Sequence, residues 1–224
     1  MMLHTIVIPT LNEEAEIEAC LIRLQGLREE GFEVIVVDGG SIDKTPQLVE
    51  GLCDQFISNQ QGRAAQMNTG ARQASGELIF FLHVDSQLPE KFSELIPTIG
   101  AETFFWGRFD VTLSGKHWLF RVIESMMNLR SRLTGIATGD QVMFVSQKLF
   151  REVGGYPEIA LMEDIAMSRM LKNICSPLCL RQKVLTSSRR WEKHGIASTI
   201  LKMWWLRFSY YIGVDPVRLA RQYE

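Results

Sequence analysis

The chain has 224 residues, 46% hydrophobic and 22% charged, which is enough for one α/β domain with a substantial core. A formal net charge of −2 excludes a general nucleic-acid binder. Cys20, Cys53, Cys175 and Cys179 contain a single C-x3-C spacing and no second pair to complete a zinc site, so they read as free thiols in a reducing cytosol.

TIVIPT (5–10) is short, apolar and β-branched and predicts a buried strand. LNEEAEIEACLIRLQGL follows with Ile17, Leu21, Leu24 and Leu27 at helical steps, Asn12 as a candidate cap and Glu13, Glu14 and Glu16 at its positive end. FEVIVVDGGS predicts a second strand running into a turn, SIDKTPQLVEGL a helix with Ser41 or Asp43 at its start, and QFISN a third strand. GRAAQMNTGARQAS predicts a helix and ELIFFLHVD a fourth strand. Beyond it, 104–113 reads as a strand, and HWLFRVIESMMNLRSRL as a helix with Leu119, Val122, Ile123, Met126, Leu129 and Leu133 on one face. QVMFVS predicts a strand followed by a helix stopping at Gly154-Gly155, and LMEDIAMSRMLKN a helix with its acidic pair in the first turn. LRQKVLTSSRRWEKHG begins as a strand, and a last helix lies near 195–212.

The alternation β-α-β-α-β-α-β over the first 85 residues means a mainly parallel sheet flanked by helices. Ligands bind such sheets beyond the carboxyl ends of the strands. Polar residues cluster there: Pro9–Glu13 after the first strand, Asp38–Ser41 after the second, His83–Asp85 after the fourth. Singly, each is a turn or a helix cap; together they point to a shared site. The start, MMLHTIVIPT, lacks the basic region of a signal peptide, and no stretch approaches the ~20 apolar residues of a spanning helix, so a cytoplasmic protein is expected.

In order, IVIPTLNEE, VIVVDGGSIDKT, GRAAQMNTGARQASGELIFFLHVDS, GDQVMFVSQKLFREVGGYPE, LMEDIAMSRML and SSRRWEKHG resemble the family 2 glycosyltransferases of GT-A fold, over nearly the whole chain. HVDSQLP, GDQ and LMEDI look like a small, soluble bacterial subgroup. The resemblance implies one domain over 1–224, with a nucleotide-binding half (1–85), a sugar and acceptor half (86–194) and a C-terminal amphipathic helix (195–224). It implies inverting transfer of a sugar from a nucleotide-diphospho-sugar, UDP- ahead of GDP-, to a hydroxyl or carboxyl acceptor, small molecule or lipid.

By the same resemblance, Pro9, Thr10 and Glu13 lie against the nucleoside, Asp38 accepts a base N–H, and Gly39 leaves space for the ring. The family's usual arginine is absent from Gln66-Met67-Asn68, and Arg63 stands nearby as its replacement or as a solvated helix-end cation. In the family's Asp-x-Asp, His83 takes the first position and Asp85 the second, so Asp85 is the expected ligand of Mg²⁺ or Mn²⁺ on the diphosphate. His194 is either a second metal ligand or a surface histidine. Asp164 is the implied general base with Glu163 its neighbour; on its own the pair also reads as charges favouring a helix N-terminus. Asp140 and Gln141 are placed toward sugar or acceptor, and Arg190 and Trp191 resemble a shortened Arg-Trp element of sugar polymerases. Trp204, Trp205, Phe208, Tyr210 and Tyr211 beside Lys202 and Arg207 suit a membrane-surface helix, or one packed on the domain or in a homodimer. A nucleotidyltransferase and a non-catalytic nucleotide-sugar-binding protein are the competing classes; the first lacks its glycine-rich phosphate loop, and the second is countered by Asp85 and Asp164.

Overall fold

Buried runs such as Val34–Val37, none of them solvent-exposed, form strands because both faces of the sheet they enter are covered. The computed structural model describes residues 4–58, 62–95 and 104–223. Its first half comprises β1 (His4–Thr10), α1 (Ile17–Glu29), β2 (Phe32–Asp38), α2 (Thr45–Leu48), β3 (Gln55–Ser58), α3 (Arg63–Gln73) and β4 (Leu78–Phe81). The second comprises β5 (Ser86–Gln87), α4 (Phe92–Leu95), β6 (Trp106–Leu113), α5 (Trp118–Thr134), β7 (Phe144–Ser146), α6 (Gln147–Glu152), α7 (Glu163–Lys172), β8 (Leu178–Thr186), α8 (Arg189–His194), α9 (Ile196–Tyr211) and α10 (Pro216–Tyr223). A 3₁₀ turn, Gly139–Gln141, precedes β7.

The strands form one eight-stranded sheet in the order β3-β2-β1-β4-β7-β6-β8-β5. β1 pairs in parallel with β2 and β4, whereas β7 runs antiparallel to β4 and β6. The side-chain period of 2 sorts the core onto the two faces. Ile6, Ile8, Val34, Val36 and Phe80 pack beneath α1, while Val7, Ile35, Val37, Ile79 and Phe81 pack beneath α3. Gly70 lets α3 approach closely, since a Cβ there would lie 2.3 Å from Val7 Cγ1. Gly70→Ala is therefore expected to destabilise the protein by about 1–3 kcal/mol through overpacking, read as a lower urea midpoint at unchanged slope.

Register places the strand ends. Thr10 lies level with Asp38, and β4 stops at Phe81, opposite Val7, so His83–Asp85 turn over the sheet edge instead of continuing the predicted strand. On β6, Arg108 and Asp110 share a face; the 1%-exposed Arg108 pairs with Asp110, and Arg132 of α5 holds the other carboxylate oxygen at 2.6 Å.

Several expectations change. α1 starts at Ile17 without a side-chain cap, because Asn12 takes a positive φ of 53° and its Oδ1 accepts the Ile42 N–H at 2.9 Å. The Asn12 N–H donates to Ser41 Oγ at 2.8 Å, so Asn12 ties the first two strand-end loops together. Asp43 accepts from the N–H groups of Thr45 at 2.9 Å and Glu14 at 3.1 Å, and the helix after it shrinks to four residues. Asn59, the last residue of the predicted third strand, lies outside the described residues. α5 buries Phe120, Ile123, Glu124 and Ser131, and leaves most of its expected inner face in solvent: Met126 is 53% exposed and Leu129 57%. The sequence reading also missed α10, which folds back so that Leu219 packs with Leu206 of α9 and with Met162 and Ile165 at the start of α7.

Candidate active site

Strand ends, the 3₁₀ turn and the start of α7 converge on one cavity of about 230 Å³, walled on the far side by α8, α9 and α10. Among the residues expected to act, Arg63, His83, Asp85, Asp140, Glu163, Asp164, Arg190 and Trp191 line it.

Asp164 sits in the first turn of α7, where Met162 enters the helix with a φ of 71°. Its Oδ2 accepts the Gly139 N–H at 2.8 Å. Burial raises its carboxyl to about 7 and the adjacent Glu163 charge adds to this, while Arg63 and the Gly139 N–H oppose it. Glu163 points elsewhere, as neighbours about 100° apart on a helix must. It is 4% exposed and its Oε1 lies 3.6 Å from Arg63 Nη1. That ion pair gives Arg63 a place at the site and links the first residue of α3 to the start of α7.

Across the cavity, Ser86 Oγ donates to Asp85 Oδ1 at 3.3 Å. Burial raises the Asp85 carboxyl; Ser86 opposes the rise and Asp140 adds to it. Glu13 is also raised, by burial and then by the Asp85 charge, which places the β1 loop beside this carboxylate. His83 is lowered to about 3 by burial and by Arg63, so it is a neutral imidazole at physiological pH.

Pro9, Thr10, Asp38 and Gly39 lie at the β1 and β2 ends, outside this cavity's lining. Asp38 is 3% exposed, and its Oδ2 accepts the N–H groups of Gly40 at 3.0 Å and Ser41 at 2.8 Å. Its Oδ1 accepts from the hydroxyls of Ser41 and Thr10. Gln66, unassigned by the sequence reading, donates from Nε2 to the carbonyls of Thr10 at 2.6 Å and Val37 at 2.8 Å. It clamps the two strand ends and lies 3.1 Å from where a Gly39 Cβ would project. No periodicity marks it, because its partners are backbone atoms of other elements.

Gln141 is fully buried, its carbonyl oxygen accepting from Thr138 N–H at 3.3 Å and its amide donating to Asn128 at 3.5 Å, so it braces the 3₁₀ turn and does not reach the cavity. Arg190 stacks 3.7 Å above the Tyr223 ring and bonds its hydroxyl, holding α10 over the site. His194 is exposed at the end of α8, in a side groove with Ser198 and Lys202, and is not brought to Asp85.

Among the described residues no three His, Cys, Asp or Glu side chains gather as a metal cage. Asp85 presents a single carboxylate to the cavity, a hard oxygen donor of the type that Mg²⁺ and Mn²⁺ take.

Solved structures share this fold. One is the Staphylococcus aureus protein TarS (residues 1–349) in complex with UDP, 20% identical, with a TM-score of 0.67 over 83% of this chain and 60% of that one. Another is the mannosyltransferase PcManGT of Pyrobaculum calidifontis in complex with GDP-Man and Mn²⁺, 20% identical, with a TM-score of 0.60 over 81% of this chain and 56% of that one. The fold is thus the expected GT-A fold of glycosyltransferases. The family model "Glycosyl transferase family 2" matches residues 5–152, and the chain belongs to that family. Among curated relatives, glycosyltransferase AglE of Haloferax volcanii is 25% identical over 68% of this chain, and the match spans 55% of that protein. The chain spans about half or less of the curated relatives it matches.

Proposed function

We propose that the protein is an inverting glycosyltransferase that moves a sugar from a nucleotide-diphospho-sugar, UDP- ahead of GDP-, to a hydroxyl or carboxyl acceptor. The observation that carries this reading is Asp164: a cavity-lining carboxylate, fixed by the Gly139 N–H and raised to about 7, across from Asp85. A base titrating near 7 is ionised often enough to act and basic enough to take a proton.

Asp38 and the loop after β1 hold the nucleoside. Four groups fill the acceptor sites of the Asp38 carboxylate, and a base N–H, as uracil or guanine offers, would take the place of the Thr10 hydroxyl, whose 3.4 Å bond is the longest of the four and which has the Val37 carbonyl as a second acceptor. Asp85 would hold Mg²⁺ or Mn²⁺, whose charge offsets that of the departing diphosphate. Arg63 adds positive charge beside Glu163. Asp164 accepts the acceptor's hydroxyl proton as that oxygen bonds to the anomeric carbon. The bond from that carbon to the diphosphate breaks, and the nucleoside diphosphate leaves with its electron pair. One displacement inverts the anomeric centre. An already ionised carboxyl acceptor attacks without the proton transfer.

Calorimetric titration of UDP and GDP, with and without Mn²⁺, tests the donor half. Wild type is expected to bind UDP with Mn²⁺ more tightly than without, and Asp85→Ala to weaken the Mn²⁺-dependent affinity by at least about tenfold. Failure of both nucleotides to bind contradicts the donor site.

A further inference from the structure

Resting on that reading of the cavity, one feature of its far wall defines the acceptor. A second cavity of about 350 Å³ runs between α5 and α9, lined by apolar residues including Ile123, Met126, Met127, Ile200 and Trp204. It shares Asp140, Trp191, Met203 and Arg207 with the first cavity, so the two meet. At the meeting point the charges are unsatisfied. Arg130 Nε and Nη2, Arg207 Nε and Asp140 Oδ1 are all buried without a hydrogen-bond partner. Neither arginine forms an ion pair among the described residues, and two cations against one carboxylate leave a net positive charge. Buried donors without partners are costly, and an anion arriving there would satisfy them. The groove's lining includes exposed apolar side chains of both helices, Met126 of α5 at 53% and Trp204 of α9 at 58%, and α9 also exposes Trp205 and Phe208. Such a surface suits the headgroup region of a bilayer. Among the described residues no helix is long and apolar enough to cross a membrane.

We propose that the acceptor is an anionic amphiphile: its hydrocarbon chain lies in the α5–α9 groove, its anionic group on Arg130 and Arg207, and its nucleophilic oxygen in the cavity with Asp164. An apolar groove without the arginines would take any hydrophobe, and the arginines without the groove would take the donor's diphosphate. The junction of the two selects a molecule that is both.

The test is calorimetry on the whole chain with dodecyl phosphate below its micelle concentration, inorganic phosphate, dodecyl maltoside and UDP with Mn²⁺. Wild type is expected to bind dodecyl phosphate at least about tenfold more tightly than either inorganic phosphate or the maltoside. Arg130→Gln is expected to lose about tenfold for dodecyl phosphate and nothing for UDP. Trp204→Ser, at an exposed position that the fold tolerates, is expected to lose a similar factor for dodecyl phosphate and nothing for inorganic phosphate. Dodecyl phosphate bound no more tightly than inorganic phosphate overturns the chain site, and equal binding of the maltoside overturns the anionic site. UDP binding weakened as much as dodecyl phosphate by Arg130→Gln assigns the arginines to the donor and overturns the proposal. The UDP arm on wild type reports separately on the donor site: its failure overturns the transferase reading, and the acceptor role of the groove with it.

Discussion

Asp164→Asn is expected to lower the rate of UDP release from UDP-glucose, with water standing in for the acceptor, by roughly 10²–10⁴-fold while leaving UDP affinity unchanged. Asparagine keeps the shape of the side chain and an oxygen to accept the Gly139 N–H, but it cannot take a proton. The pH profile adds an independent check. In wild type, activity should rise as pH climbs through about 7, because Asp164 must be ionised to act. The variant should lose that limb. Stability should move the opposite way. The Asp164 carboxyl is raised from an ordinary 3.8 to about 7 by burial and then by Glu163, so the folded state prefers it protonated. Its favourable contribution is full below pH 3.8 and is lost as pH rises through about 7. Asparagine stays neutral throughout. The variant should therefore melt higher than wild type at pH 8, with the gap closing toward pH 4. A variant that is as active as wild type removes Asp164 from the chemistry, and one that melts lower at pH 8 removes the buried charge from the account.

Gly139→Ala is the second large effect, and it arises from space alone. Gly139 does not occupy a left-handed conformation, so alanine fits its backbone. A Cβ there would lie 2.1 Å from His83 Cε1 and 3.0 Å from Asp164 Oδ2. The imidazole is held in the cavity wall and the carboxylate is bonded to the Gly139 N–H itself, so the methyl group displaces both groups together. Activity should fall by about 10²-fold, the scale of a small misplacement at a reacting centre, with about 1–3 kcal/mol lost in stability. Adding His83→Ala removes the nearest clash. The double variant should be more stable than Gly139→Ala alone, a non-additivity read from urea melts. If the single variant is as stable and active as wild type, the contact between the 3₁₀ turn and His83 does not exist in solution.

The two halves of the chain differ in how much their residues disclose. Strands β1, β2 and β4 are buried on both faces, so they stand out as unbroken apolar runs separated by helices, and the parallel half could be drawn before any coordinates. The second half could be drawn only in part. β6, β7 and β8 fall in segments that read as strands, but β5 has two residues, too few to show a period, and α10 hides in a polar stretch whose Leu219 anchors it. α5 shows the limit of periodicity most plainly. Of its row Leu119, Val122, Ile123, Met126, Leu129 and Leu133, read as the buried face, the structure buries Ile123, together with Phe120 and Glu124, and leaves Val122, Met126, Leu129 and Leu133 exposed. An apolar stripe records only that something covers it. In the site, Asp85 and Asp164, both of which line the cavity, were legible through the ordered series of motifs. The junction of Arg130, Asp140 and Arg207 was not, because three distant segments supply it and no local pattern links them. The same holds for Asp38, whose carboxylate shapes its own turn in addition to any base it meets.

The most direct measurement of the central claim is a crystal structure of the protein soaked with UDP and Mn²⁺. The account predicts uracil at Gly39 with its N–H on Asp38, the metal and diphosphate at Asp85, and the terminal phosphate facing the cavity that holds Asp164. UDP bound elsewhere, or a diphosphate turned away from Asp85 and Asp164, would contradict it.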